Sequence, residues 1–76
     1  MIFKKKHDRE VSKMQKRAAK LPASELIPWS DSVLYSIGRN LASWQRTDAI
    51  AYLEEARVNA EALHAIIESL YTRVTK

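Results

Sequence analysis

The chain has 76 residues with no cysteine, one glycine and two prolines, and its formal net charge at pH 7 is +4. A chain of this length forms one small domain, residues 1–76, without an enclosed active-site cavity, so we expect neither an enzyme nor a small-molecule substrate. Without thiols it forms no disulfide framework and no thiolate zinc site, so we expect a cytoplasmic protein and predict no cofactor or metal site.

The scarcity of turn residues, together with abundant alanine, leucine, glutamate, lysine and arginine, predicts an all-α fold. No apolar run approaches the roughly 20 residues that a membrane-spanning helix needs, and the basic start is not followed by the apolar segment of a signal peptide. Hydrophobic periodicity predicts a three-helix arrangement: an antiparallel helical hairpin of about residues 29–46 and 48–74, plus a basic N-terminal helix of about residues 4–21.

The first predicted helix, about residues 4–21, has an apolar stripe on one side and positive charge on the other. The stripe residues recur at spacings of four and three positions: Phe3, His7, Val11, Met14, Ala18 and Leu21. At roughly 100° per residue, the cations on the opposite side fall within an arc of about 120°: Lys5, Lys6, Arg9, Lys13, Lys16, Arg17 and Lys20. Pro22 ends the helix, because proline disfavours α geometry in the residue before it.

Positive charge is concentrated in this first helix. Residues 1–20 contain eight lysines and arginines against two acids, whereas residues 21–76 contain five against seven. A row of cations releases counterions when it binds a polyanion, so this face is a candidate site for nucleic acid, for an anionic membrane surface with Ile2 and Phe3 as insertion points, or for an acidic protein. The alternative is a solvated face that keeps a small protein soluble. The face lacks base-reading amides and stacking aromatics, so any nucleic-acid binding would be independent of sequence.

The second predicted helix follows a short connector. Residues 23–28 form this connector, with a helical turn capped by Ser24, and Pro28 occupies the first turn of the helix, where a missing amide donor costs little. The helix runs to about Arg46, with an apolar face that comprises Trp29, Val33, Ile37, Leu41 and Trp44, flanked by Leu26 and Leu34. We expect both tryptophans in the core. The alternative for Trp29, next to the bend at Pro28, is an exposed anchor for a partner.

Gly38 suggests a second possibility for this segment. A glycine between apolar residues is typical of the turn in a helix-turn-helix DNA-binding motif. Arg39 stands where that motif needs an apolar residue, however, and the apolar face continues through to Trp44. We therefore expect one continuous helix, in which Gly38 permits the close approach of a neighbour.

The third predicted helix begins after a cap at Thr47 or Asp48 and has the clearest periodicity in the chain. Its apolar residues alternate spacings of three and four in a heptad seam: Leu53, Ala56, Ala60, Leu63, Ile67, Leu70 and Val74. Only a few residues separate it from the second helix, so the two are predicted to lie antiparallel. Contact along one seam buries too little apolar surface for a stable hairpin, so we expect the first helix, a second copy or an unrelated partner to add more.

A second strip of small residues lies on the far side of the third helix: Ala51, Val58, Ala62 and Ala65. Alanine suits any exposed helix, which is the simplest explanation. The alternative is a contact surface, either for the first helix or for self-association with another copy of the chain.

Glu61 and His64 form a Glu-x-x-His sequence, which occurs in di-iron helical bundles. That chemistry needs a second such motif and further inward-pointing glutamates, and these two side chains lie off the seam toward solvent. No phosphate-binding loop, nucleophile elbow or other catalytic set is present in the sequence. The sequence therefore predicts a non-enzymatic helical protein-interaction module, with a protein partner or as a homo-oligomer. The alternative is sequence-independent nucleic-acid binding through the basic face.

Overall fold

The computed structural model describes residues 12–75, and within them all regular structure is helical. Helix α1 covers residues 12–20, α2 spans Ala23–Thr47, and α3 spans Ile50–Thr75. The two long helices pack along each other as a hairpin, and α1 packs against both. The predicted all-α, three-helix arrangement is thus confirmed. The part of the predicted first helix before residue 12 lies outside the described residues.

Helix α2 begins at Ala23, so the predicted connector of residues 23–28 is wrong. Its N-cap is Pro22, whose extended backbone (φ −69°, ψ 158°) turns the chain out of α1. Ser24 therefore lies inside the first turn and does not cap the helix. Pro28 lies within the helix, where its missing amide proton leaves the Ser24 carbonyl without a helical donor. Both residues are exposed, so water can bond that carbonyl and the helix continues.

A two-residue turn connects α2 to α3. Asp48 has a left-handed backbone (φ 59°, ψ 14°) and donates its amide proton to the Trp44 carbonyl at 2.7 Å, so it is the C-cap of α2. The prediction that Asp48 caps the third helix is therefore wrong. The hydroxyl of Thr47 accepts the amide proton of Ala49 at 3.2 Å, one residue before α3 begins.

The core lies where the three helices meet. Its buried members come from all three helices: Ala18, Leu26, Val33, Ala62, Ala65 and Ile66. Half-buried apolar side chains surround them: Met14, Leu21, Trp29, Ile37, Leu63 and Leu70. In the half of the hairpin nearer its turn, Asn40 Nδ2 donates a hydrogen bond to Asn59 Oδ1 at 2.9 Å. A polar pair at such a position specifies the register of two packed helices.

The buried side of α3 overlaps the predicted heptad seam only in part: Ala56 is buried, and Leu63 and Leu70 pack half-buried against the core. Ala62 and Ala65 are buried, whereas Ile67 and Val74, predicted to lie in the seam, are 53% and 80% exposed. The reason is that α3 has two neighbours, α2 and α1, so its packed face is rotated toward the alanines. A periodic pattern in one helix identifies an apolar stripe but does not identify which part of it meets a neighbour.

Candidate interaction surfaces

Helix α1 is held against the hairpin by the buried Ala18 and by polar contacts near its C-terminal end. The Ala18 side chain has no exposed surface, and its carbonyl oxygen accepts hydrogen bonds from Ser69 Oγ and Arg73 Nη2, both at 2.9 Å. Arg73 Nη2 also donates to the Leu21 carbonyl at 2.5 Å. These bonds satisfy carbonyls that have no partner at the end of a helix, and a cation at that end interacts favourably with the helix dipole.

Two members of the small-residue strip form the α3 side of this contact. Ala62 and Ala65 are buried in the same cluster as Ala18, because such small side chains let α1 approach closely. Of the two contacts predicted for this strip, the structure shows the one with the chain's own first helix at Ala62 and Ala65, and their burial leaves little of either side chain for a second copy. Of the other two members, Val58 is half-buried and Ala51 is exposed.

The described part of the predicted polyanion-binding face lies on the outward side of α1. All four of its described cations are exposed: Lys13, Lys16, Arg17 and Lys20. At roughly 100° per residue, they point away from the buried Ala18. Among residues 12–75, no acidic side chain forms an ion pair with any of them. The other three predicted members of this face lie outside the described residues: Lys5, Lys6 and Arg9.

Arg17 also contacts the hairpin. Its guanidinium carbon lies 4.4 Å from the centre of the Trp29 ring, which is within the range of a cation–π interaction. Trp29 is half-buried against the core cluster, so it is a core residue as expected and not an exposed anchor. Trp44, also expected in the core, is instead 37% exposed. Arg17 therefore belongs to the basic face and to the packing between α1 and α2.

A second surface, apolar in character, lies on the side of the hairpin that α1 does not cover. We call it the outer apolar face, and it comprises Ile27, Leu34, Leu41 and Trp44 on α2 and Ile67 and Val74 on α3. These side chains are 37–80% exposed. Sequence periodicity alone assigns four of the six to the core. The signal for a separate face is the heptad spacing of Ile27, Leu34 and Leu41, which forms a second row beside the one that is buried.

Rotation along each helix places both rows of this face opposite α1, except at Trp44, which lies only about 60° around α2 from Trp29. On α2, Leu34 is five residues after Trp29, which contacts α1, and so points about 140° away from it. On α3, Ile67 is five residues after the buried Ala62, again about 140° around the helix. Because α2 and α3 are antiparallel, these equal rotations bring the two rows to the same side of the hairpin.

The outer apolar face contains no charged side chain. The positions between its two rows are uncharged: Ser30, Ile37, Ala56, Leu63 and Leu70. Gly38 borders the face, and a Cβ atom added there would meet no atom within 4 Å. Helix α2 is continuous through Gly38. Neither the helix-turn-helix alternative nor the predicted close approach of a neighbour at Gly38 is therefore found among the described residues.

The Glu-x-x-His sequence on α3 does not assemble a metal site among the described residues. His64 Nε2 lies 3.5 Å from Glu68 Oε1, one helical turn away, and both side chains are exposed. Within residues 12–75, no group of three or more histidine, aspartate or glutamate side chains is arranged to hold a metal ion. An open groove between α1 and α3 passes these residues, but its cation, Arg73, is already bonded to the carbonyls of α1.

None of the described helices combines the length and the apolar character needed to cross a lipid bilayer. No known protein-family model matches the chain, and no curated protein and no solved structure is significantly similar to it. The basic side of α1 and the outer apolar face are therefore the features from which a function can be inferred.

Proposed function

We propose that the chain is a non-enzymatic helical protein-interaction module whose outer apolar face binds a helical surface, either of a protein partner or of another copy. The observation that carries this proposal is the exposure of six large apolar side chains in two rows with no charge between them. Isolated apolar residues are common on protein surfaces, but a contiguous apolar patch is typical of an interaction site. Heptad-spaced rows pack best against other helices.

The small size of the core supports the same proposal. Three of the six buried members of the core cluster are alanines, so the described helices bury few large side chains among themselves. Covering the outer apolar face would remove more apolar area from water, at about 25 cal/mol per Å². A partner would therefore stabilise the hairpin while it binds.

Site-specific photo-crosslinking in the cells that express the chain tests this proposal. A benzoylphenylalanine residue replaces Leu34 on the outer apolar face or, as the matched control, Arg39, which lies five residues later and about 140° around the same helix. Both positions are exposed, so the fold should tolerate either substitution. We expect protein adducts from position 34 and few from position 39. Equal labelling from both positions, or none from position 34, contradicts the proposal.

A second candidate function is sequence-independent nucleic-acid binding through the basic side of α1. It is supported by the four exposed cations of α1, for which residues 12–75 supply no acidic partner. Lys13, Lys16 and Lys20 recur along about two turns of the helix, so they can contact neighbouring phosphates. An anionic lipid surface would attract the same cations.

Titration of the chain into labelled duplex and single-stranded DNA and RNA tests the second candidate. The affinity should fall steeply as salt is raised from about 50 mM to about 200 mM, because each phosphate contact releases condensed counterions. Failure to bind at the lower concentration contradicts it. Vesicles with and without anionic lipid provide the comparison that separates a nucleic-acid site from a membrane-surface site.

The proposal includes a cytoplasmic location and the absence of catalysis. The location is supported by the lack of cysteine in so small a chain, since small secreted domains commonly depend on disulfides. The absence of catalysis is supported by the arrangement around His64, which pairs with Glu68 on the exposed surface of α3 beside an open groove rather than in an enclosed cavity.

A further inference from the structure

We infer that the partner covering the outer apolar face is a second copy of this chain, related to the first by a two-fold axis through that face. The inference rests on the proposed function and narrows it. Two hairpins would pack face to face as four helices, and the two α1 helices would lie on the outside of the dimer.

The absence of charge from the outer apolar face favours a second copy over a partner that is recognised through complementary charges. The outer apolar face has no charged side chain, so two copies of it meet without like-charge repulsion. The positive charge of the chain lies elsewhere, since residues 1–20 hold eight lysines and arginines against two acids. The described part of that segment, α1, packs on the opposite side of the hairpin. Two copies can therefore associate although each carries a net charge of +4.

The area of the face fits a dimer interface. Its six large side chains are 37–80% exposed. With the uncharged positions between the rows they present on the order of 700 Å² of apolar surface, close to the roughly 800 Å² that each partner contributes to a standard protein interface. The largest apolar patch on a typical monomer is smaller, about 300–600 Å².

The register of the hairpin places Leu34 and Ile67 near the middle of the face. Asn40 on α2 pairs with Asn59 on the antiparallel α3. Leu34 lies six residues before Asn40, so it is level with Ala65, which lies six residues after Asn59. Ile67 is two residues further along α3, or about 3 Å. Toward the hairpin turn, the face continues from this pair through Leu41 and Trp44. Toward the open end of the hairpin, it continues through Ile27 and Val74. A two-fold axis between Leu34 and Ile67 therefore matches apolar surface with apolar surface along the face, as an isologous interface requires.

Sedimentation equilibrium of the purified full-length chain, from low to high micromolar concentration, tests the inference. We expect a reversible monomer–dimer equilibrium. Leu34→Glu or Ile67→Glu should raise the dissociation constant at least about 100-fold, because each substitution occurs twice near the axis. Tyr35→Glu is the matched control, since Tyr35 is also an exposed apolar residue of α2 but lies about 100° around the helix from Leu34. This control should leave the dissociation constant unchanged.

Circular dichroism checks that each variant is folded, as expected for positions that are more than half exposed. If Leu34→Glu does not fold, Leu34→Ser is tested in its place. A wild-type mass of one chain at every concentration overturns the inference, and so does a dimer that withstands both glutamate substitutions. If the chain is a monomer in solution but position 34 forms adducts with another protein in cells, the inference of a second copy is overturned and the proposed function is not. A monomer with no adducts from position 34 overturns both.

Discussion

The guanidinium of Arg73 donates a hydrogen bond to the carbonyl oxygen of Ala18 at 2.9 Å, across 55 positions of the sequence. This bond joins the last turn of α3 to the last turns of α1. It lies beside the contact of Ala18 with the buried alanines of α3, so polar and apolar contacts hold α1 at the same place. The orientation of the basic side of α1 relative to the hairpin depends on both.

Replacing Arg73 with alanine should lower the free energy of unfolding by about 1–2 kcal/mol. The variant loses hydrogen bonds from a charged donor to two carbonyls of α1, and the expected value stays below the full strength of such bonds because Arg73 is exposed. Arg73→Lys keeps the charge but lacks the planar guanidinium group with its several N–H donors, so it should restore only part of the lost stability. Urea denaturation followed by circular dichroism measures the effect, and an alanine variant as stable as the wild type would contradict this role.

Ala18→Leu should destabilise the fold by about 1–3 kcal/mol, because the larger side chain has to fit at a position with no exposed surface. Ala19→Leu is the matched control, since Ala19 is exposed and its substitution should be nearly neutral. Undocking of α1 should also move Arg17 away from Trp29. The fluorescence of Trp29, measured in a Trp44→Phe background, reports that movement. Equal stability losses from the two leucine variants would show that Ala18 has no special place in the packing.

The difference in burial between Ala62 and Ile67 shows which part of this fold is predictable from sequence. The period of 3.6 residues is a local property of the backbone, so it predicts both helices of the hairpin, and the short connection between them predicts their antiparallel packing. Both residues fit an apolar stripe on α3, but Ala62 is buried and Ile67 is 53% exposed. The choice between them depends on where α1 docks, through contacts about 50 positions apart in sequence. That information is absent from any local pattern.

Two further residues show tertiary contacts outweighing local rules. A proline inside a helix costs about 3 kcal/mol, so Pro28 predicts a helix that begins beside it. Leu26 is fully buried in the core cluster, however, and its packing holds the preceding turn in helical form. Arg73 resembles an ordinary solvent-exposed cation in the last turn of a helix, and only the folded chain reveals its bonds to α1. The exposed lysines of α1 follow directly from the helical wheel, whereas their binding to a polyanion stays a prediction.

Gly38→Ala should raise the free energy of unfolding by about 0.5–1 kcal/mol, because alanine loses less backbone entropy in a helix and its Cβ would meet no atom within 4 Å. Ala42→Gly, at an exposed position one turn later, should lower it by a similar amount. Gly38 borders the outer apolar face, so thermal denaturation is measured in the wild-type and Leu34→Glu backgrounds. Destabilisation by alanine in both backgrounds would contradict the open space around Gly38, and destabilisation in the wild type alone would indicate contact with a second copy.

Replacing Lys13, Lys16 and Lys20 together with glutamine should reduce the salt dependence of nucleic-acid binding, if the basic side of α1 is the site. Each lost phosphate contact lowers the slope of log K against log salt concentration by about 0.7–0.9, so the triple variant should lose about 2–3 from that slope. Replacing the same three lysines with glutamate should abolish binding. Arg17 is left in place because it stacks on Trp29, and its replacement would alter packing as well as charge.

A charge-matched variant decides whether nucleic-acid binding depends on the lysines of α1 or on the net charge of the chain. Arg39, Arg46 and Arg57 are exposed cations of the hairpin, and replacing all three with glutamate changes the net charge by the same amount as the triple lysine reversal. A site on α1 predicts that the arginine variant keeps most of its affinity, because phosphate contacts are local and distant charges are screened beyond about 10 Å at 0.1 M salt. If both triple variants weaken binding equally, the chain responds to overall charge and the lysines of α1 form no particular site.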